Sequence, residues 1–205
     1  MAAVTQLAAE PVAGTDTDAE VIRASLADPD RFAVIYDRYA AMLYRYAYQR
    51  MGAEIADDVV AETFLAAFRG RASYQLDRQE ARPWLFGILT REMAGHHRRE
   101  RARLRAMAHS PQDLVQDGPA DQVAARAVAA AARGPLAAAL AELAPGDRDV
   151  LLLVAWGQLS YDEVAESLNI PQGTVGSRLN RARRKVRRAL QKFDPTMITE
   201  PSHDL

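Results

Sequence analysis

The chain lacks cysteine, and it lacks any long apolar run. With no cysteine among its 205 residues, it has no disulfides, no thiolate zinc ligands and no cysteine nucleophile. The longest apolar run, residues 150–156, is far shorter than the ~20 residues that span a bilayer. The N-terminus has no basic segment followed by an apolar stretch, as a signal peptide would. These absences predict a cytoplasmic protein with no membrane insertion.

An excess of either charge is also missing, since 26 Lys and Arg face 27 Asp and Glu. Taken alone, this balance argues against a nucleic-acid binder, but the charges are segregated along the chain. Residues 1–30 hold six carboxylates and one arginine, whereas residues 174–192 hold eight cations and no acid. Residues 91–105 hold six arginines and two glutamates. Because the local field decides what a segment attracts, the two basic segments are candidates for contact with phosphates.

Helical periodicity dominates the rest, and no strand pattern is apparent. A hydrophobic content of 49% is enough for a packed core. We predict an all-α fold of two small helical domains, an N-terminal helical bundle and a C-terminal helix-turn-helix domain, joined by a flexible linker. Capping boxes at Thr17/Glu20 and Ser160/Glu163 mark two helix starts, and Asp28-Pro29 is typical of a third. The expected units are a mobile tail (1–15), a first domain (16–106), the linker (107–135), a second domain (136–193) and a C-terminal tail (194–205).

The strongest motif is the segment from Leu159 to Arg184, in which a short capped helix, a tight turn and a basic helix predict a helix-turn-helix. Small Ala165 suits the crossing of the two helices, and Ile170, Val175 and Leu179 are spaced to anchor the second one. Arginine and asparagine suit base edges, and hydroxyls suit phosphates. The alternative is a solvated basic helix in an ordinary bundle. The residues predicted to contact DNA are Thr174, Ser177, Arg178, Asn180, Arg181 and Arg184.

A second candidate site is the basic helix that begins near Pro83, preceded by a polar loop that contains Tyr74. Arginines interleaved with aromatic rings suit single-stranded nucleic acid. Trp84 and Phe86 are either stacking rings or core residues. We interpret Trp84 as a core residue, leave Phe86 open, and expect the Tyr74 ring to be exposed. The residues predicted for this contact are Tyr74, Arg91, Arg98, Arg99 and Arg101.

A third cluster is acidic and consists of Asp57, Asp58 and Glu62. Asp58 and Glu62 are four residues apart and share a helix face. No histidine has helical spacing to them, and His96 and His97 diverge by about 100° on a helix, so a metal site is not predicted. A protein-docking patch or a solvated face fits better. We therefore predict no catalytic residue, no metal, no cofactor and no enzymatic activity.

Together these segments resemble an extracytoplasmic-function sigma factor, a two-domain bacterial transcription initiation factor. The resemblance covers residues 28–193 and rests on Asp57-Asp-Val-Val-Ala-Glu-Thr-Phe64, Pro83-Trp-Leu-Phe-Gly-Ile88 and the helix-turn-helix. It implies that Asp57, Asp58 and Glu62 dock on the β′ clamp helices of the RNA polymerase core, with the β flap as a further contact. It also implies that the loop 70–82 and the helix from Pro83 melt the −10 promoter element. The helix-turn-helix would read the −35 element, and an anti-sigma factor would be a partner.

The sequence departs from the family pattern in two places, at Arg91 with Glu92 and at Gly176. Arg91 and Glu92 stand where an asparagine and an apolar residue are usual, and Gly176 replaces a lysine or arginine of the recognition helix. Two other functions stay open on the sequence alone. One is a helix-turn-helix repressor or activator that works without core polymerase. The other is a metal-dependent enzyme that uses Asp57, Asp58, Glu62 and His96.

Overall fold

The computed structural model describes residues 16–78, 80–108 and 134–191. Within those ranges the chain forms helices and connecting turns and no strand, which confirms the all-α prediction. The predicted tails 1–15 and 194–205 lie outside the described residues, as does most of the predicted linker 107–135. The α-helices are α1 (Asp18–Ser25), α2 (Ala33–Met51), α3 (Ala53–Gly70), α4 (Arg82–Ala108), α5 (described over 134–141), α6 (Pro145–Ala155), α7 (Tyr161–Leu168) and α8 (Gln172–Gln191).

The helix starts and stops predicted from the sequence are present in the structure, except that Asp28 does not start the long helix directly. Thr17 forms the capping box, since its hydroxyl accepts from the Glu20 N–H and its own N–H donates to the Glu20 carboxylate. Asp28 caps a 3₁₀ turn, Pro29–Phe32, instead of starting the long helix directly, because its side chain accepts from the Asp30 N–H at 3.3 Å. The long helix α2 then begins at Ala33 and ends at Gly52, whose φ of 84° is a conformation that favours glycine.

The first four helices pack around one apolar core. Its largest fully buried side chains include Ile35 and Leu43 of α2 and Phe86 of α4. Tyr46 meets Phe86 edge to face, with ring centroids 5.3 Å apart. Such an arrangement adds ~0.5–1.5 kcal/mol beyond the burial of apolar area. This core holds the acidic helix α3 and the basic helix α4 at fixed positions relative to each other.

Buried Asp18 ties three elements of this bundle together. It accepts hydrogen bonds from Arg38 at 2.6 Å, from the Tyr39 hydroxyl, and from the Ala81 N–H at 2.8 Å. The last contact fixes the residue just before α4. Burial and the Asp18 carboxylate raise the pKa of Tyr39 well above its ordinary value, so the phenol stays protonated and donates.

Helices α6, α7 and α8 form a second unit around Leu153, Val164, Val175 and Leu179, all nearly inaccessible to solvent. This unit packs on the first through α7, which lies against α4. The two units therefore share one continuous set of buried apolar residues.

Candidate promoter and polymerase interfaces

Helix α7 and helix α8 form the predicted helix-turn-helix. Ser160 caps α7 by accepting from the Glu163 N–H at 3.2 Å, and the Glu163 carboxylate accepts from the Ser160 N–H at 2.7 Å. Asn169 ends α7 in the left-handed conformation with φ of 50°, which asparagine tolerates better than most residues. Gln172 opens α8 and donates to Asp162 at 2.6 Å across the turn. Capping fixes where α7 begins and ends, and the Gln172–Asp162 hydrogen bond joins the two helices across the turn.

The residues expected to anchor α8 do so. Val175 and Leu179 are fully or almost fully buried, and Ala165 and Ile170 are half-buried against the same core. With that side of α8 facing inward, Ser177, Asn180 and Arg184 lie exposed. Thr174 and Arg178, also predicted for DNA, are half-buried. The residues predicted to contact DNA therefore lie partly on the exposed face of α8 and partly beside that face.

Arg181, which the sequence predicts to contact DNA, is paired inside the protein. Its Nε and Nη2 each donate to the Asp147 carboxylate at 2.6 Å, a bidentate pair across 34 residues. The Asp147 side chain is 3% exposed and that of Arg181 is 48% exposed. The hydrogen bond from Arg181 is the main cause that lowers the pKa of Asp147, with Lys185 and Arg178 adding to it.

Helix α8 carries two glycines, Gly173 and Gly176, at which no side chain projects from the helix. A Cβ atom added at Gly173 or Gly176 would meet no heavy atom within 4 Å. Gly176 is therefore not required by a close approach inside the protein. It simply removes a side chain from the surface of α8, at a cost of roughly 1 kcal/mol in helix propensity relative to alanine.

The four α4 arginines predicted to contact DNA lie on its exposed surface. Arg91, Arg98 and Arg101 are exposed. Arg99 is exposed as well and donates to Glu62 of α3 at 3.0 Å. The structure therefore joins a residue predicted for DNA to one predicted for polymerase, through a surface pair that contributes at most ~1 kcal/mol.

The expectation that the Tyr74 ring is exposed is wrong. Tyr74 is 6% exposed, lies edge to face on Trp84 at 5.0 Å, and donates its hydroxyl proton to the Arg78 carbonyl at 2.8 Å. The loop folds inward because this ring covers the start of α4. Trp84 is partly buried against the core, in line with its interpretation as a core residue, and Phe86, which the sequence left open, is fully buried.

The acidic cluster of α3 is solvent-exposed at Asp57, Asp58 and Glu62. Leu65 lies on the same face as Asp58 and Glu62 and is 47% exposed. Sequence reasoning missed Leu65, although its i+3 spacing from Glu62 was visible. Among the described residues, no group of three or more carboxylates and histidines is placed to hold a metal ion. The metal-enzyme alternative therefore gains no geometric support.

Three arginines, Arg50, Arg78 and Arg82, form ion pairs between the units that carry these surfaces. Arg82 at the start of α4 donates to Glu163 at 3.2 Å and to the backbone carbonyls of Gly157 and Gln158 at 2.7 and 3.0 Å. Arg78 donates to Glu166 at 2.5 Å. The N-terminal end of α4 thus lies under α7.

Within the described ranges, no helix is long and apolar enough to cross a membrane.

Comparison with known proteins matches both units. Residues 35–103 match the family model "Sigma-70 region 2", and residues 133–186 match "Sigma-70, region 4". The ECF RNA polymerase sigma factor SigL of Mycobacterium tuberculosis is 36% identical over 180 residues, which cover 87% of this chain and 99% of SigL. SigW of Bacillus subtilis is 29% identical, covering 80% of this chain and 91% of SigW. The solved structure of CnrH with the cytosolic domain of CnrY aligns with a TM-score of 0.61 at 26% identity, covering 87% of this chain and all of CnrH.

Proposed function

Because the chain belongs to the ECF RNA polymerase sigma factors and so directs RNA polymerase to promoters, we propose how its surfaces share that task. Helix α8 reads the −35 element, the exposed arginines of α4 engage the −10 element, and the acidic face of α3 docks on core polymerase. Residues 16–106 and 136–193 act as the corresponding domains. A repressor or activator that works without core is not favoured, since it would leave the match to region 2 unexplained.

The observation that carries the −35 assignment is the capped helix-turn-helix with a basic exposed face. Its anchoring side faces the core, so Ser177, Asn180 and Arg184 are free to approach a major groove. Thr174, Arg178 and Arg181 flank that face. Arginines in such a helix provide both phosphate attraction and base contacts.

For the −10 element, Arg91, Arg98, Arg99 and Arg101 offer a positive track along α4 that suits a single-stranded backbone. Tyr74 remains a prediction as a stacking ring, and its burial means that the loop has to rearrange before a base reaches it. Melting costs a few kcal/mol per extruded base, which phosphate contacts must offset. We expect Arg98→Ala and Arg101→Ala holoenzymes to give weaker permanganate reactivity of −10 thymines at equal promoter occupancy. Equal reactivity would show that Arg98 and Arg101 do not engage the −10 element.

For core docking, Asp57, Asp58 and Glu62 present carboxylates next to exposed Leu65. A polar rim around a more apolar centre is the usual anatomy of a protein interface, and these residues offer both. We place the contact on the β′ clamp helices and a second contact, by the helix-turn-helix unit, on the β flap. A sigma factor of this kind needs no cofactor and has no turnover of its own, and it works in the cytoplasm.

We also propose an anti-sigma factor as a partner, because CnrH was solved with the cytosolic domain of CnrY. The packing of α7 on α4 gives such a partner a single compact target. Co-purification of this chain with candidate partners, followed by loss of core binding in the complex, tests the idea. A complex that still binds core would contradict it.

A further inference from the structure

Asp147 lies in the first turn of α6, outside the helix-turn-helix, and its carboxylate faces the recognition helix. Three cations of α8 lie around it, Arg178, Arg181 and Lys185, at spacings that place them on one stripe of the helix. Arg181 alone forms a bidentate pair with it, at 2.6 Å for both bonds. A carboxylate that is 3% exposed thus fixes the position of a guanidinium that is half open to solvent.

The geometry of the pair leaves one edge of Arg181 available. Asp147 takes the edge formed by Nε and Nη2, and the opposite edge, formed by Nη1 and the second proton of Nη2, keeps its donors. An arginine fork of this kind matches O6 and N7 of guanine in the major groove. A guanidinium held in place loses less side-chain freedom when it binds than a mobile one does.

The surroundings make Arg181 the best-positioned base reader of α8. Gly176 offers no side chain. The Arg178 guanidinium lies over Gly146, where an added Cβ atom would come within 2.7 Å of its Nη1. Arg184 is exposed. Because Asp147 also neutralises one positive charge, this stripe attracts phosphates less strongly than three free cations would.

We propose that Asp147 is a specificity-determining residue of promoter recognition, which positions Arg181 so that its open edge reads a guanine of the −35 element. Asp147 does not touch DNA and acts through Arg181. The inference rests on the proposed function of α8 as the −35 reader. It differs from a purely structural role, in which the pair only fastens α6 to α8 and Arg181 contributes nothing to base choice.

The test uses the full-length protein with core polymerase on promoter fragments that vary each −35 base pair. Asp147→Asn should lower discrimination at a guanine-containing pair by about fivefold or more, the low end of what one bidentate contact provides. It should also tighten binding to mismatched promoters, because the released cation binds phosphates. Arg181→Ala should lose the same discrimination, and the double variant should lose no more than Arg181→Ala.

Asp149→Asn is the matched control, because it neutralises a carboxylate of the same helix that pairs instead with Arg50 at 2.9 Å. Should Asp147→Asn fail to fold, Arg181→Lys keeps the cation and removes the fork, so it should lose guanine discrimination in a folded protein. Thermal unfolding of every variant checks the fold.

Three results would overturn the inference. Unchanged discrimination in Asp147→Asn would show that Asp147 does not position a base reader. An equal loss on all promoters would reduce the pair to a structural contact. A wild-type holoenzyme that ignores the −35 sequence would contradict the proposed function of α8 itself, and this outcome is distinguishable because it appears before any substitution.

Discussion

Gly87 of α4 packs directly against the backbone of Ser167 in α7, so that a Cβ atom at residue 87 would lie 2.6 Å from the Ser167 carbonyl oxygen. A backbone carbonyl within a helix cannot step aside as a flexible side-chain end can. The ion pairs of Arg78 and Arg82 lie beside this contact. The surface of α4 that precedes its basic half is therefore joined to the helix-turn-helix at a place where only glycine fits.

We expect Gly87→Ala to push α4 and α7 apart. Overpacking of this kind costs ~1–3 kcal/mol, partly offset by up to ~1 kcal/mol of helix propensity. Small-angle X-ray scattering should show a larger radius of gyration, with helix content by circular dichroism unchanged. Gly95→Ala is the control on the same helix, because its added Cβ atom would meet nothing closer than 3.6 Å. An unchanged radius for Gly87→Ala would mean that the contact tolerates a methyl group.

The exposed face of α3 gives a prediction about polymerase binding. Asp58→Ala and Leu65→Ser should each weaken binding to core several-fold, because both side chains are exposed and share one face. Neither should lower the melting temperature appreciably, since exposed positions seldom matter for stability. Fluorescence anisotropy with labelled protein and core measures the affinity. Glu54→Ala, also exposed on α3 but in its first turn, serves as the control. Equal core affinity for all three variants would show that the docking site lies elsewhere.

Acid should weaken the fold through Asp147. Arg181 lowers the pKa of this carboxyl below its ordinary value of 3.8, so its contribution to stability is present above about pH 3.8 and is lost as the pH falls through the lower folded value. The difference in free energy of unfolding between wild type and Asp147→Asn should therefore shrink between pH 5 and about pH 2. Urea unfolding at each pH measures it. A difference that stays constant with pH would show that the charge of Asp147 does not stabilise the fold.

Gly176→Arg should strengthen promoter binding. No atom lies within 4 Å of the added Cβ position, so the side chain enters open space and gains helix propensity of roughly 1 kcal/mol. The new cation should make the dependence of binding on salt steeper by about one phosphate contact. Gly176→Ala separates the two effects, because it gains propensity without charge. Identical salt dependence for the two variants would place residue 176 away from the DNA.

Local signals explain why most of the helical architecture was predictable. The capping boxes at Thr17 and Ser160, the stop at Gly52 and the apolar spacing of Val175 and Leu179 each act within a few residues, and each has its expected role in the structure. The same spacing identified the exposed residues Ser177, Asn180, Arg181 and Arg184 of the recognition helix, whereas Thr174 and Arg178 are half-buried.

Long-range partners explain what sequence reasoning missed. Arg181 and Asp147 are 34 residues apart, and Arg82 meets Gly157 and Glu163 across more than 70 residues. No periodicity reports such pairs. Tyr74 was misjudged for a different reason, because its burial depends on how a loop without helical periodicity turns its ring inward onto Trp84.

Transcription with purified components shows whether this chain directs core polymerase to promoters. Core RNA polymerase with this protein should produce discrete transcripts from a subset of genomic fragments, whose mapped starts share −35 and −10 sequences. Core alone should not produce them. Transcripts that appear equally without the protein, or a protein that fails to bind core, would contradict the account.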